Sequence, residues 1–130
     1  SKYGAKMSGY ADGASNANED WLISPAIDLS GKSSVAITFE HAINKGDLNN
    51  LQSNHTLWVS TNYNGGDPAT ATWEQVTITT YPDGKSWTYV SSDEIAVPAA
   101  YLTSNVRIAF KYLCSNSESA TWEIKNLVIK

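Results

Sequence analysis

Oxygen donors are concentrated in one acidic, asparagine-rich segment near the start of the chain. Calcium ions bind about six to eight oxygens, from carboxylates, amide carbonyls and the backbone of a loop that can wrap the ion. The predicted ligands are Asn16, Asn18, Glu19, Asp20, Glu40 and Asn44, with Asp12 and Asp47 as further donors. Their spacing matches no defined calcium loop. One structural calcium ion is one prediction, and a solvated loop in which Asp20 caps backbone amides is the alternative.

Aromatic rings with polar handles are the second set of candidates, since the chain has five Trp and seven Tyr against two Phe. Such rings can pack on the C–H face of a pyranose while nearby amides and carboxylates bind its hydroxyls. Trp58 lies between Leu57 and Val59, which are predicted to be buried, so its ring is placed on the opposite face. The predicted carbohydrate contacts are, in order, Trp58, Trp87, Tyr63 and Trp73. The alternative is that these rings cover sandwich edges or pack against a neighbouring domain.

Catalysis has little support in the sequence. The two histidines are His41 and His55, and His41 alternates with core residues, which predicts a satisfied inward histidine. Glu40 points to the opposite face, so the pair forms no simple dyad. Cys114 is predicted to be a small buried hydrophobe. We therefore predict a non-catalytic protein. The alternative is a divergent carbohydrate-active enzyme, which would need two facing carboxylates about 5 to 10 Å apart.

The elements that position these side chains are predicted to be strands. Alternation places Val35, Ile37, Phe39 and His41 on one face of a strand. The same pattern predicts buried faces formed by Val106, Ile108, Phe110 and Tyr112, and by Trp122, Ile124 and Val128. Trp21, Trp122 and Phe110 are predicted to be core residues, and Pro25 predicts a bend or bulge. About eight short strands with turn-rich connections, among them the Pro82-Asp-Gly84 turn, predict an antiparallel β-sandwich of jelly-roll type.

Length and charge limit the classes of protein. The 130 residues form one predicted domain, 1–130, and the net charge of -4 comes without a basic stripe. This composition argues against a nucleic-acid partner. No apolar run reaches the length of a membrane span, so we predict no membrane insertion. Because the chain starts at Ser1 without a leader, we expect a module excised from a larger protein.

Several segments resemble one protein family. They are Asp20-Trp-Leu-Ile-Ser-Pro-Ala-Ile-Asp-Leu-Ser30, Ile37-Thr-Phe39, Leu57-Trp-Val-Ser-Thr61, Val106-Arg-Ile-Ala-Phe-Lys-Tyr112 and Trp122-Glu-Ile-Lys-Asn-Leu-Val-Ile129. In this order they resemble the cleaved-adhesin or choice-of-anchor J family of exported proteins common in Bacteroidetes, jelly rolls related in shape to MAM domains.

The resemblance implies an accessory module of a cell-surface or secreted protein, often with structural calcium. The expected function is adhesin-like or carbohydrate-binding, with a glycan or neighbouring domains of the same chain as partners. A structural spacer or protein-contact domain is a further alternative. One departure concerns the last strand, where the family commonly has Ile-Asp-Asn and this chain has Ile124-Lys125-Asn126. An ammonium cannot ligate a cation, so calcium is not expected at this position.

Overall fold

The fold is an all-β sandwich, as predicted. The computed structural model describes residues 4–46 and 48–130. The strands are β1 (Ala5–Ser8), β2 (Tyr10–Ala11), β3 (Ala14–Ser15), β4 (Asn18–Ile23), β5 (Ala36–Asn44), β6 (His55–Ser60), β7 (Glu74–Val76), β8 (Val90–Ser91), β9 (Ile95–Ala96), β10 (Arg107–Cys114) and β11 (Thr121–Ile129). Two short 3-10 turns cover Pro68–Thr70 and Ala99–Tyr101. Within residues 4–46 and 48–130 no helix is long and apolar enough to cross a membrane.

Two antiparallel sheets form the sandwich. The first has the order β1-β11-β5-β8, with β9 also paired to β5, and the second has the order β4-β10-β6-β7. β2 and β3 form a separate hairpin. The described residues form eleven strands rather than the predicted eight. Residues 2–10, predicted to be one strand, contain β1 and the start of β2; the segment after Trp87 contains β8 and β9; and β3 forms where a loop was predicted. Lys2 and Tyr3 lie outside the described residues. The jelly-roll connectivity stays a prediction, with which this strand order is consistent.

The core lies between the sheets and follows the predicted alternation. Val35, Ile37, Phe39 and His41 are all buried, because side chains two residues apart on a strand share a face. The Phe39 ring of the first sheet meets the Phe110 ring of the second edge to face, with centroids 5.0 Å apart. Trp122 is fully buried beside them. The predictions for Phe110 and Trp122 are therefore confirmed.

The prediction that Val128 shares the buried face of Trp122 and Ile124 is wrong. The pairing of β11 with β5 shifts register between Lys125 and Val128, and Val128 is 39% exposed. Asn126 takes a left-handed backbone conformation with φ of 55°, which asparagine tolerates better than most residues. Its amide donates a hydrogen bond to the Glu40 carboxylate on the neighbouring strand. One bulge thus inverts the faces of the last residues of the strand.

The prediction that Trp21 belongs to the core is also wrong. Among the described residues β10 is the one pairing partner of β4, and Trp21 lies opposite Lys111 in that pair. Lys111 is on the outer face because Phe110 and Tyr112 point inward. Trp21 is consequently half-buried on the outside of the second sheet. β4 ends at Ile23, and pairing resumes at the Ile27–Val106 bridge. Pro25, where a bend or bulge was predicted, lies in this gap between the two paired segments.

Candidate functional site

A row of small polar side chains crosses the outer face of the first sheet. Ser8 of β1 lies opposite Thr121 of β11, and Thr121 lies opposite Asn44 of β5. Their strand neighbours Met7, Trp122 and Ile43 are buried in the core. Alternation therefore turns the two hydroxyls and the amide outward, side by side on adjacent strands.

Two exposed rings accompany this row in one cleft. Tyr10 follows β1 and is 58% exposed, and Trp87 precedes β8 and is 50% exposed. Together with the row of hydroxyl and amide groups they line a cleft of about 240 Å³. We call it the Trp87 cleft; its lining residues are Lys6, Ser8, Tyr10, Asn44, Lys45, Trp87, Ser119 and Thr121. Apolar rings beside a few fixed polar groups are the usual composition of a small-ligand site.

The charged groups of the Trp87 cleft are cations. Lys6 and Lys45 line it, and within the described ranges no carboxylate does. Glu123 lies opposite Lys6 in the strand register but outside the lining. Lys45 has a left-handed backbone with φ of 59°, its N–H donates to the Asn44 side chain at 3.0 Å, and its ammonium lies 5.9 Å from the centre of the Tyr10 ring.

Three of the four predicted ligand aromatics lie elsewhere, on the outer face of the second sheet. Trp58 is on the face opposite Leu57 and Val59, as predicted. Its ring lies 6.3 Å from that of Trp21, which in turn lies 5.1 Å from Trp73. We call Trp21, Trp58, Trp73 and Tyr63 the outer tryptophan cluster; Tyr63 joins it through Trp73 at 5.5 Å.

The polar atoms of the outer tryptophan cluster are bonded within the protein. The indole N–H of Trp58 donates to the Thr56 hydroxyl at 2.8 Å, and that of Trp73 donates to the Pro68 carbonyl at 3.0 Å. Tyr63 is only 8% exposed, and its hydroxyl donates to the Gly66 carbonyl at 2.7 Å. The prediction of Tyr63 as an exposed contact is therefore wrong. These rings mainly cover the sheet, so Trp87 replaces Trp58 as the first candidate.

The predicted calcium ligands are distributed over both sheets. Asn18, Glu19 and Asp20 belong to β4 of the second sheet, whereas Glu40 and Asn44 belong to β5 of the first. Glu19 faces outward with Trp21, whose indole N–H it accepts at 2.9 Å. Asp20 shares the other face with Tyr112.

The remaining contacts of this set are internal. The Asn16 amide donates to the backbone carbonyls of Gly9 and Ala14, and the Asn18 amide donates to Asp20 at 2.8 Å. Asp47 lies outside the described residues. Among the residues that are described, no group of three or more His, Cys, Asp or Glu could hold a metal ion. The six predicted ligands therefore do not fit one calcium ion as a set, and calcium stays a prediction.

Lys125, at the position that departs from the family pattern, has a different role. Its ammonium lies 4.0 Å from the centre of the Tyr89 ring, a cation–π contact. The Tyr89 hydroxyl donates to the Glu123 carboxylate at 2.6 Å. These side-chain contacts link Lys125, Tyr89 and Glu123 on this part of the sheet surface.

Both histidines are buried and their contacts are internal. His41 Nε2 donates to the Thr80 carbonyl at 2.8 Å, and Nδ1 accepts the indole N–H of Trp122 at 3.1 Å. The prediction of a satisfied inward histidine is confirmed. His55 Nδ1 donates to the Leu51 carbonyl at 2.7 Å, while its Nε2 has no hydrogen-bond partner in the described structure. Burial lowers the pKa of both imidazoles, that of His55 to about 4.

Sequence reasoning missed most of the Trp87 cleft. It included Trp87 as a glycan contact and Asn44 as a metal ligand, but not Tyr10, Lys45 or Lys6. The alternation of Lys6, Met7 and Ser8 could have placed Lys6 and Ser8 outward. Their meeting with β5 depends on the β1–β11–β5 order, which a local pattern does not contain.

Comparison with known proteins leaves the resemblance untested. No family model matches the chain, and no curated protein matches it.

Proposed function

We propose that this protein is a non-catalytic carbohydrate-binding module that binds glycans in the Trp87 cleft. The observation that carries the proposal is the pairing of two half-exposed rings, Trp87 and Tyr10, with a row of outward hydroxyl and amide groups. Aromatic rings pack against the apolar face of a sugar, and the polar groups form hydrogen bonds with its hydroxyls. In line with the resemblance to the cleaved-adhesin family, the module belongs to a larger adhesin-like protein that is exported to the bacterial cell surface or secreted.

The row is well suited to fixing the orientation of a sugar. Ser8, Thr121 and Asn44 stand on three adjacent strands of one sheet, so their backbones are held by ladder hydrogen bonds. Sites on rigid elements lose little conformational entropy when a ligand binds. Asn44 supplies both donors and an acceptor, and the hydroxyls of Ser8 and Thr121 can do either.

Two features support a binding role over catalysis. The imidazoles of His41 and His55 are directed into the core, where they bond Thr80 and Leu51. The charged groups that line the cleft are ammonium groups, which cannot act as the carboxylate pair of a glycosidase.

A protein-contact function is the second candidate, and it is favoured by the edge of β4. Ser24 donates to the Ile108 carbonyl of β10, so Glu19, Trp21 and Ile23 direct their backbone groups away from that strand. Within the described structure β4 has no partner on this side. Beside it lies an apolar groove of about 270 Å³, lined by Leu22, Pro25, Phe110 and Leu127 among others. Such an edge can accept an extended segment of another domain.

A glycan array with the isolated domain tests the primary proposal. Wild-type protein should retain at least one glycan, and Trp87→Ala should abolish retention because aromatic anchors carry much of the recognition energy. The melting temperature should change little, since Trp87 is 50% exposed.

Trp58→Ala is the matched control, because it deletes an indole on the other sheet and should leave glycan retention intact. If the wild type retains no glycan, the carbohydrate proposal is wrong and the protein-contact function takes its place. If Trp58→Ala abolishes retention in a folded domain, the site is the outer tryptophan cluster.

A further inference from the structure

We propose that the glycan bound in the Trp87 cleft is anionic, a sugar acid or a sulfated sugar, and that Lys45 with Lys6 selects it. This inference rests on the proposed function and names its ligand class. It is carried by the charge of the lining, the conformation of Lys45 and the position of the Lys45 ammonium beside the Tyr10 ring.

The charge of the cleft is opposite to that of the whole chain. The protein has a net charge of -4, yet Lys6 and Lys45 are the charged residues among the described lining. Glu123 faces Lys6 across the β1–β11 pair and offsets part of its charge. Lys45 forms no salt bridge with any described residue. Its ammonium is therefore available to a ligand carboxylate or sulfate.

The backbone of Lys45 supports a role for its side chain. With φ of 59°, the residue occupies the left-handed region in which glycine or asparagine would be more stable. Residues held in such conformations often serve a functional site. The conformation follows the end of β5 at Asn44 and places the ammonium 5.9 Å from the centre of the Tyr10 ring. A sugar stacked in the cleft would have its acidic substituent near this cation.

The outer tryptophan cluster does not offer the same chemistry. Lys111 lies 5.3 Å and 5.4 Å from the centres of the Trp21 and Trp58 rings. It also lies 3.9 Å from the Glu19 carboxylate. This cation already has aromatic and acidic partners within the protein. Among the described side chains the Lys45 ammonium contacts an aromatic ring and no carboxylate, which assigns anion selection to the Trp87 cleft.

The test uses matched pairs of acidic and neutral glycans. One pair is oligogalacturonate and its methyl ester, which differ in charge but keep the same rings and hydroxyls. A second pair is dextran sulfate and neutral dextran, whose only charge difference is sulfate, so that the two pairs separate sulfate from carboxylate as the source of the preference. Binding is measured by calorimetry or on an array. We expect the acidic member of at least one pair to bind about 5-fold more tightly, and this preference to shrink at high salt.

Variants of Lys45 test whether this side chain is responsible for the preference for the acidic glycan. Lys45→Gln should remove most of it while leaving binding of the neutral member intact, and Lys45→Arg should keep it. Lys45→Gly removes the ammonium and also relieves the left-handed backbone, so its loss of preference cannot be attributed to unfolding. Lys32→Gln is the control, because Lys32 is exposed outside the cleft and the substitution changes the net charge equally.

The outcomes separate this inference from the proposed function. Retention of neutral glycans with no acidic preference would overturn the inference and leave the proposed function standing. An acidic preference that persists in both Lys45→Gln and Lys6→Gln would also overturn it, since the charge would then be bound elsewhere. If neither member of any pair is retained while the array shows another glycan bound, the inference is wrong and the proposed function stands; if the array also retains no glycan, both are wrong.

Discussion

His55 should make the protein less stable in acid. The imidazole is buried, and burial lowers its pKa from 6.5 to about 4 despite the hydrogen bond to the Leu51 carbonyl, which acts in the opposite direction. The unfolded chain therefore binds a proton near pH 6.5, whereas the folded chain does so only near pH 4. The stability contributed by neutral His55 is complete above about pH 6.5, declines as the pH falls, and levels off below about pH 4.

The size of the effect follows from the two pKa values. For one group with these values, the free energy of unfolding falls by about 2 kcal/mol between pH 7.5 and pH 5. A typical domain is stabilised by only about 5–15 kcal/mol, so this loss is large enough to measure. Burial also lowers the pKa of His41, and this second imidazole adds a loss of the same sign.

Urea unfolding, followed by tryptophan fluorescence at several pH values between 7.5 and 5, measures the loss. His55→Gln is the informative variant, because its amide can still donate to the Leu51 carbonyl but does not titrate. The wild type should lose about 2 kcal/mol more than this variant over the same pH range. Equal losses in the two proteins would refute the assignment of the effect to His55.

Three further outcomes follow from the structure. Trp122→Ala should lower the free energy of unfolding, measured in urea, by about 3–5 kcal/mol, because Trp122 is fully buried. Trp58→Ala should lower it clearly less, and equal losses would contradict the placement of Trp58 outside the core. Asn126→Ala should lower the free energy of unfolding by about 1 kcal/mol or more, and Asn126→Gly should lower it less, since only the alanine is strained at φ of 55°. A lower melting temperature for Asn126→Gly than for Asn126→Ala would refute the bulge. If one structural calcium ion binds as predicted, the melting temperature of chelator-treated protein should rise with calcium concentration. The predicted ligands are divided between two sheets, so only some of them could serve the ion, and equal melting temperatures with and without millimolar calcium would refute the prediction.

The interior of the sandwich was predictable because burial on a strand has a period of two. The alternation through Phe39 and through Phe110 was sufficient to place both rings in the core, where they meet across the sheets. The prediction for Val128 was wrong because a single bulge residue shifts the two-residue period of burial. The left-handed conformation of Asn126 cannot be recognised from the pattern of apolar residues.

The position of a strand within its sheet was not predictable in the same way. Trp21 has apolar neighbours typical of a core strand, yet β4 lies at an edge. The Trp87 cleft depends even more on long-range pairing, since its residues come from β1, β2, the end of β5, the loop before β8 and the start of β11. Local patterns place Ser8 and Thr121 outward, but only the sheet order makes them neighbours.

The edge of β4, which has no strand partner within residues 4–46 and 48–130, also bears on solubility. A free edge that carries Trp21, Leu22 and Ile23 is a template for strand-by-strand aggregation. Glu19 and Asp20 place negative charge at one end of this stretch, and Pro25 follows its other end. These residues act as gatekeepers, because like charges repel a second copy and proline cannot extend the ladder. Neutralising the two acids would therefore favour fibrous self-association of the domain without any change in its core.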